Sequence, residues 1–274
     1  MDWIESLIYG LISGLSEFMP ISSSAHQQIL MHLFGIDSRD PVRDLFIHIA
    51  MLIAVSTACR SFLDAVKHEV VSVNSRRHII RQNSRYFYDW RLIRGAIFPM
   101  LTIMLLLRYV LNLQDNLLLT LLLLAINGLI LFLPERMVQG NKDARIMSAF
   151  DSILIGCSGA ISVFDGISRI GCTYGVSVAR GSSKKHALTW SFVLSVFALA
   201  FLSVFDLISI ISAGVSNFWG NLYTYVLSGI TAYLGGYAGI TVMRYIAVRP
   251  GNNGFAYYCW GASLFSFIMY LTVS

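Results

Sequence analysis

Two short stretches of this chain concentrate the side chains that could do chemistry. The first holds Glu17, Ser22, Ser23, Ser24 and His26; the second holds Asp165, Ser168, Arg169 and Thr173. If the two met, a carboxylate, several hydroxyls, an imidazole and a guanidinium would share one pocket. That set suits phosphate. Arginine holds phosphate oxygens with paired, fork-shaped donors. A serine hydroxyl attacks phosphorus, or hydrogen-bonds its oxygens, when a neighbouring group manages the proton. Short helices starting after each stretch add positive N-terminal dipole ends that favour an anion. Each residue alone has a plainer use. Ser22 to Ser24 could cap a helix starting near Ala25, His26 could be a hydrogen-bonded core residue, and Arg169 could pair structurally with Glu17. Their concentration in two places argues for function.

The elements that must position them are apolar. Of 274 residues, 56% are hydrophobic and only 13% charged, about half the charge of a soluble domain. Such a chain cannot coat a water-soluble surface. A disordered chain, a disulfide-stapled secreted domain and a nucleic-acid-binding domain are excluded, and the net charge of +5 fits basic cytoplasmic loops instead. A crossing helix takes about 20 mostly apolar residues. Six stretches qualify or nearly so: 44–60, 91–112, 117–134, 186–213, 218–246 and 254–273. The apolar regions 3–36 and 148–180 are interrupted by the two chemical stretches, and their halves are too short to span. Polar backbone at membrane depth is tolerated only where it is buried in protein or lines a cavity. The expected fold is an all-α integral membrane protein, one domain over 1–274, with six transmembrane helices and two re-entrant helix-loop-helix segments.

The two interrupted regions resemble each other. A shift of 146 residues lays Gly10 on Gly156, Ser16 on Ser162, Phe18 on Phe164, Ile21 on Ile167 and Ser22 on Ser168. The same shift lays Phe46 on Phe192 and Ala54 on Ala200. The halves are then about 1–135 and 147–274. The loop 60–94 carries Arg60, Lys67, Arg76, Arg77, Arg81, Arg85, Arg91 and Arg94, which makes it cytoplasmic. Each half makes three crossings, so the second half is inverted relative to the first and both termini fall outside. Loops 112–116 and 213–221 fall outside without Lys or Arg, while Arg39 and Arg43 in loop 37–43 are offset by Asp37, Asp40 and Asp44. Lys184 and Lys185 are expected as basic anchors at the cytoplasmic face. Inverted repeats with broken helices meeting at mid-membrane are a transporter-like architecture.

At the two stretches the resemblance becomes specific. Gly14-Leu-Ser-Glu-Phe-Met-Pro-Ile-Ser-Ser-Ser-Ala-His26 resembles the first signature of the undecaprenyl-pyrophosphate phosphatase family, also called the bacitracin-resistance protein family. Gly166-Ile-Ser-Arg-Ile-Gly-Cys-Thr173 resembles its second, P-G-x-S-R-S-x-x-T. Similarity continues through Asp44 to Val55, Gly128 to Leu131, Ser191 to Leu194, Gly229 to Gly236 and Phe255 to Tyr258. The resemblance implies removal of the terminal phosphate of undecaprenyl pyrophosphate in the bacterial plasma membrane, with help from Mg²⁺ or Ca²⁺, for reuse of the carrier lipid in cell-wall synthesis. It implies Ser23 as nucleophile or phosphate ligand, His26 as general acid/base, Arg169 as phosphate clamp, and Glu17 as metal ligand or base. Ser22 and Ser168 would donate to phosphate, joined by Ser24 and Thr173. The expected partners are the polyprenyl diphosphate lipid and the bilayer, with a homodimer compatible.

The chain also departs from that pattern. Ser13 stands where the family usually has Glu or Gln, Asp165 replaces the Pro of the second motif, Ile170 its second Ser, and Gly159 an upstream Gln. Asp165 is the expected substitute for the missing acid in a metal site with Glu17. The missing carboxylate and the inverted repeat also support a second expectation, a polyprenyl-phosphate flippase or transporter with reduced or no phosphatase activity.

Overall fold

The computed structural model describes residues 1–72, 85–110, 116–137, 140–214, 217–247, 249 and 253–273. Arg76, Arg77 and Arg81 of the basic loop, and most of loop 112–116, lie outside the described residues. The chain runs α1 (Trp3–Phe18), α2 (Ser23–Leu33), α3 (Pro41–Ala58), α4 (Arg60–Ser72), α5 (Arg85–Val110), α6 (Leu117–Arg136) and α7 (Ala149–Ala160). A 3₁₀ turn (Ile161–Val163) then leads to α8 (Arg169–Ala179), α9 (Lys184–Ala213), α10 (Phe218–Ile246) and α11 (Gly254–Val273).

Among the described residues, five helices are long and apolar enough to cross a membrane, over Pro41–Ala58, Asp89–Tyr109, Leu117–Arg136, Lys184–Ser212 and Phe218–Ile246. The stretch 254–273, expected as a sixth span, is helical as α11, 20 residues without a charged side chain, but is not one of those five. Large apolar side chains stand outward on these helices, with Phe98 76% and Ile211 78% exposed. Apolar surface on this scale requires a partner, and with the apolar helix lengths it makes this a multi-pass membrane protein.

Both predicted interruptions are real breaks in helix. α1 stops before Pro20, which cannot continue it, and α2 starts at Ser23. The 3₁₀ turn stops at Val163, and α8 starts at Arg169. The caps repeat at the 146-residue shift. Asp2 caps α1 with Glu5 in a reciprocal capping box, and Ser148 caps α7 with Asp151 in the same way. Ser22 caps α2 by accepting from the Ala25 N–H at 3.3 Å, and Ser168 caps α8 by accepting from the Gly171 N–H at 3.1 Å.

Packing repeats as well. α1 lies along α10, and its counterpart α7 lies along α5; α3 packs on α10 as α9 packs on α5. α3 also meets α9, and α6 meets α11. Glycine permits close approach at both of these crossings. A Cβ at Gly10 would overlap the Ser228 carbonyl of α10, and one at Gly156 the Ala96 carbonyl of α5. Small residues at such positions let membrane helices approach closely. Phe18, at the end of α1, is fully buried edge-on against Phe192 of α9, ring centres 6.2 Å apart. Lys184, expected as a surface anchor, is instead buried and paired with Glu135 at 2.7 Å, because α9 begins against the end of α6.

Candidate active site between the two helix breaks

One polar side chain ties the breaks together. Asn127 on α6 has no exposed surface. Its Nδ2 donates to the Pro20 carbonyl at 2.9 Å, and its Oδ1 accepts from the Ser168 N–H at 2.9 Å. Each bond satisfies a backbone group that a broken helix leaves without a partner. Gly166, with φ of +104°, brings the second break beside α6, a conformation that glycine adopts without Cβ strain. Its N–H donates to Ser24 Oγ at 3.4 Å.

Where the breaks meet lies a cavity of about 140 Å³, well above the roughly 10–15 Å³ that a single water needs. Glu17, Ser23, Ser24, Asp165, Ser168 and Arg169 all line it. Arg169 is held by Glu17 in an ion pair, and its Nε donates to Ser195 Oγ at 3.4 Å. Ser23 Oγ donates to the Ser13 carbonyl at 3.0 Å. Asp165 accepts from Arg39 at 2.6 Å and from Gln28 at 2.8 Å.

Three predicted residues are not among those lining the cavity. Ser22 is buried as the cap of α2, at φ of +67°, a backbone conformation costly for a residue with a Cβ. Thr173 is fully buried and donates to the Arg169 carbonyl at 2.9 Å. His26 faces α11. Its Nδ1–H donates to the Ser22 carbonyl at 2.7 Å, its Nε2 meets the Tyr258 hydroxyl at 2.8 Å, and the two rings stack 5.8 Å apart.

The cavity also contains groups from outside the two motif stretches: Asp44 and His48 on α3, Arg108 on α5, Asp206 on α9, and Arg39 before α3. His48 Nδ1 donates to Asp206 Oδ2 at 2.6 Å. The Arg108 guanidinium stands 5.3 Å from the Phe205 ring centre. The available signal was an ionisable residue inside an apolar span, costly and therefore functional by default. It applied to His48 and Asp206 as much as to the breaks.

Three guanidiniums and an imidazole thus face four carboxylates, so an arriving diphosphate meets too little positive charge. A divalent cation would supply the remainder. Among the described residues no three His, Cys, Asp or Glu side chains converge on one point, so no closed cage awaits an ion. Mg²⁺ is often held by one or two carboxylates together with substrate phosphates, and the cavity's donors fit that form.

Helices with membrane-crossing length around a hydroxyl- and guanidinium-lined cavity define an integral membrane protein built to handle a phosphorylated ligand. The family model described as "Bacitracin resistance protein BacA" matches residues 6–265. The chain belongs to that family. It is 30% identical over 281 residues to the undecaprenyl-diphosphatase of Methanobrevibacter smithii, covering 99% of each chain. It is 28% identical to that of Halothermothrix orenii, covering 95% of each, and 25% identical to that of Carboxydothermus hydrogenoformans, covering 95% of this chain and 94% of the other.

Proposed function

We propose that this protein is an undecaprenyl-diphosphate phosphatase that removes the terminal phosphate of the lipid diphosphate and returns the monophosphate to cell-wall synthesis. The observation that carries this reading is the convergence of Glu17, Ser23, Ser24, Ser168 and Arg169 from two separate breaks on one cavity. Arg169, steered by Glu17, clamps the phosphate, aided by Arg39 and Arg108, while Ser24 and Ser168 donate hydrogen bonds. Ser23, whose hydroxyl donates to the Ser13 carbonyl, is read as a phosphate ligand, with water as the nucleophile. A divalent cation, Mg²⁺ or Ca²⁺, accompanies the diphosphate; Glu17 and Asp165 would hold it, and it would neutralise phosphate charge.

The same reading places the protein in the plasma membrane of a bacterium. It has six crossings and two re-entrant helix pairs in an inverted repeat, the loop 60–94 inside and both termini outside. The exchanged packing of α1 on α10 and α7 on α5 supports the repeat. It also favours a second reading, a lipid-phosphate flippase on the same scaffold. Phosphate release from a C55 diphosphate by the purified protein in detergent decides between them. The phosphatase releases phosphate, and Ser23→Ala and Arg169→Ala lower the rate; absence of release with Mg²⁺ and Ca²⁺ supplied leaves transport.

A further inference from the structure

We infer that His48, oriented by Asp206, takes the proton from the attacking water, a role expected of His26. The inference rests on the phosphatase reading and deepens it. A proton acceptor must reach the reacting atoms and have a free lone pair. His26 meets neither condition: it does not line the cavity, and the Ser22 carbonyl and the Tyr258 hydroxyl occupy its two nitrogens.

His48 meets both. It lines the cavity together with Ser23 and Arg169. The 2.6 Å contact to Asp206 is through Nδ1. An ionised carboxylate only accepts, so Nδ1 carries the hydrogen and the neutral ring presents the Nε2 lone pair. Nε2 has no hydrogen-bond partner among the described residues. His48 and Asp206 stand on α3 and α9, two packed spans, at 18% and 10% side-chain exposure. A carboxylate that accepts from Nδ1–H in this way fixes the tautomer of a histidine and stabilises the imidazolium that forms. Asp206 is therefore a positioning residue. Burying an ionisable pair between membrane helices is costly, and this pair borders the one cavity where the two breaks meet.

The step balances. The water oxygen bonds to the terminal phosphorus as its proton passes to Nε2. The bridging P–O bond breaks, and its electron pair leaves with the lipid monophosphate. His48 then returns the proton to the released inorganic phosphate, so one water is consumed and the ring ends neutral.

The test uses the full-length protein in detergent with a C55 polyprenyl diphosphate, following phosphate release. His48→Gln should lower kcat by about 10²–10⁴-fold, the usual contribution of general acid–base catalysis, with KM held within about threefold because the lost interaction is made only in the transition state. Asp206→Asn should lower kcat too, and Asp206→Glu should recover part of it. His48→Ala should regain turnover when imidazole is added, which repair of a merely structural contact would not do. The inference is overturned by His48→Gln turnover within about threefold of wild type, or by a His48→Ala defect that imidazole leaves unchanged. Wild-type protein that binds the lipid but releases no phosphate would overturn the phosphatase reading, and this inference with it.

Discussion

Arg169 grips Glu17 across the cavity, joining the first residue of α8 to the last turn of α1. The two side chains are 6% and 13% exposed, so each neutralises a charge that the surrounding helices could not otherwise tolerate. The pair is at once the seam between the two breaks and the clamp presented to phosphate.

Breaking that pair should separate stability from activity. Arg169→Met leaves a buried carboxylate uncompensated and should cost about 3–5 kcal/mol. Glu17→Gln combined with Arg169→Met should regain most of that stability while phosphate release stays lost. Thermal unfolding in detergent and a phosphate assay read the two effects. A double variant as unstable as the single one would show that the pair does not act as a unit.

Asn127→Leu should damage the site from outside the cavity. It strands the Pro20 carbonyl and the Ser168 N–H, each a loss of about 1–3 kcal/mol when buried. The expected result is a lowered melting temperature and weaker turnover, although Asn127 is not among the residues lining the cavity. Wild-type melting would mean that water replaces both bonds without cost.

Gly10→Val and Gly156→Val should be comparably destabilising, by about 1–3 kcal/mol for overpacking, because each forces apart a repeat-related crossing. Gly261→Ala is the control, since nothing lies within 4 Å of an added Cβ there. Chemical denaturation of the three variants checks the order; tolerance at Gly156 alone would break the equivalence of the two crossings.

The proposed orientation predicts one-sided labelling. In a background without the four native cysteines, single cysteines at Ser38 and Asn217 should react with an impermeant thiol reagent applied from outside. Cysteines at Arg145 and Lys185 should react only after the membrane is opened. All four positions are exposed. The reverse pattern would invert the topology.

The breaks were legible because polar residues interrupt apolar runs at Glu17 to His26 and Asp165 to Thr173. The cap at Ser22 followed from local chemistry, and the spans from length. His48 and Asp206 were not singled out, since each is one polar residue in an otherwise apolar helix and they lie 158 positions apart. Arg39 and Asp44 read in sequence as loop charges balancing one another, yet they line the cavity because α3 begins beside it. His26 and Thr173 carry the expected chemistry but do not line the cavity. What turns them away is the placement of α11 and the backbone of α8 itself, which spacing within the motifs does not encode. Asn127 gave no signal, because a lone asparagine in a span shows its worth only when both of its partners are known.

The reciprocal seating of α1 on α10 and α7 on α5 means that neither half of the chain houses the helix that leads into its own break. Each half completes the other, as two subunits do when they exchange arms. A polypeptide cut between residues 135 and 147 should therefore yield fragments that are orphans apart and reassemble when made together. By the same logic the cavity belongs to the pairing of the halves, and a single half would have the motif without the site.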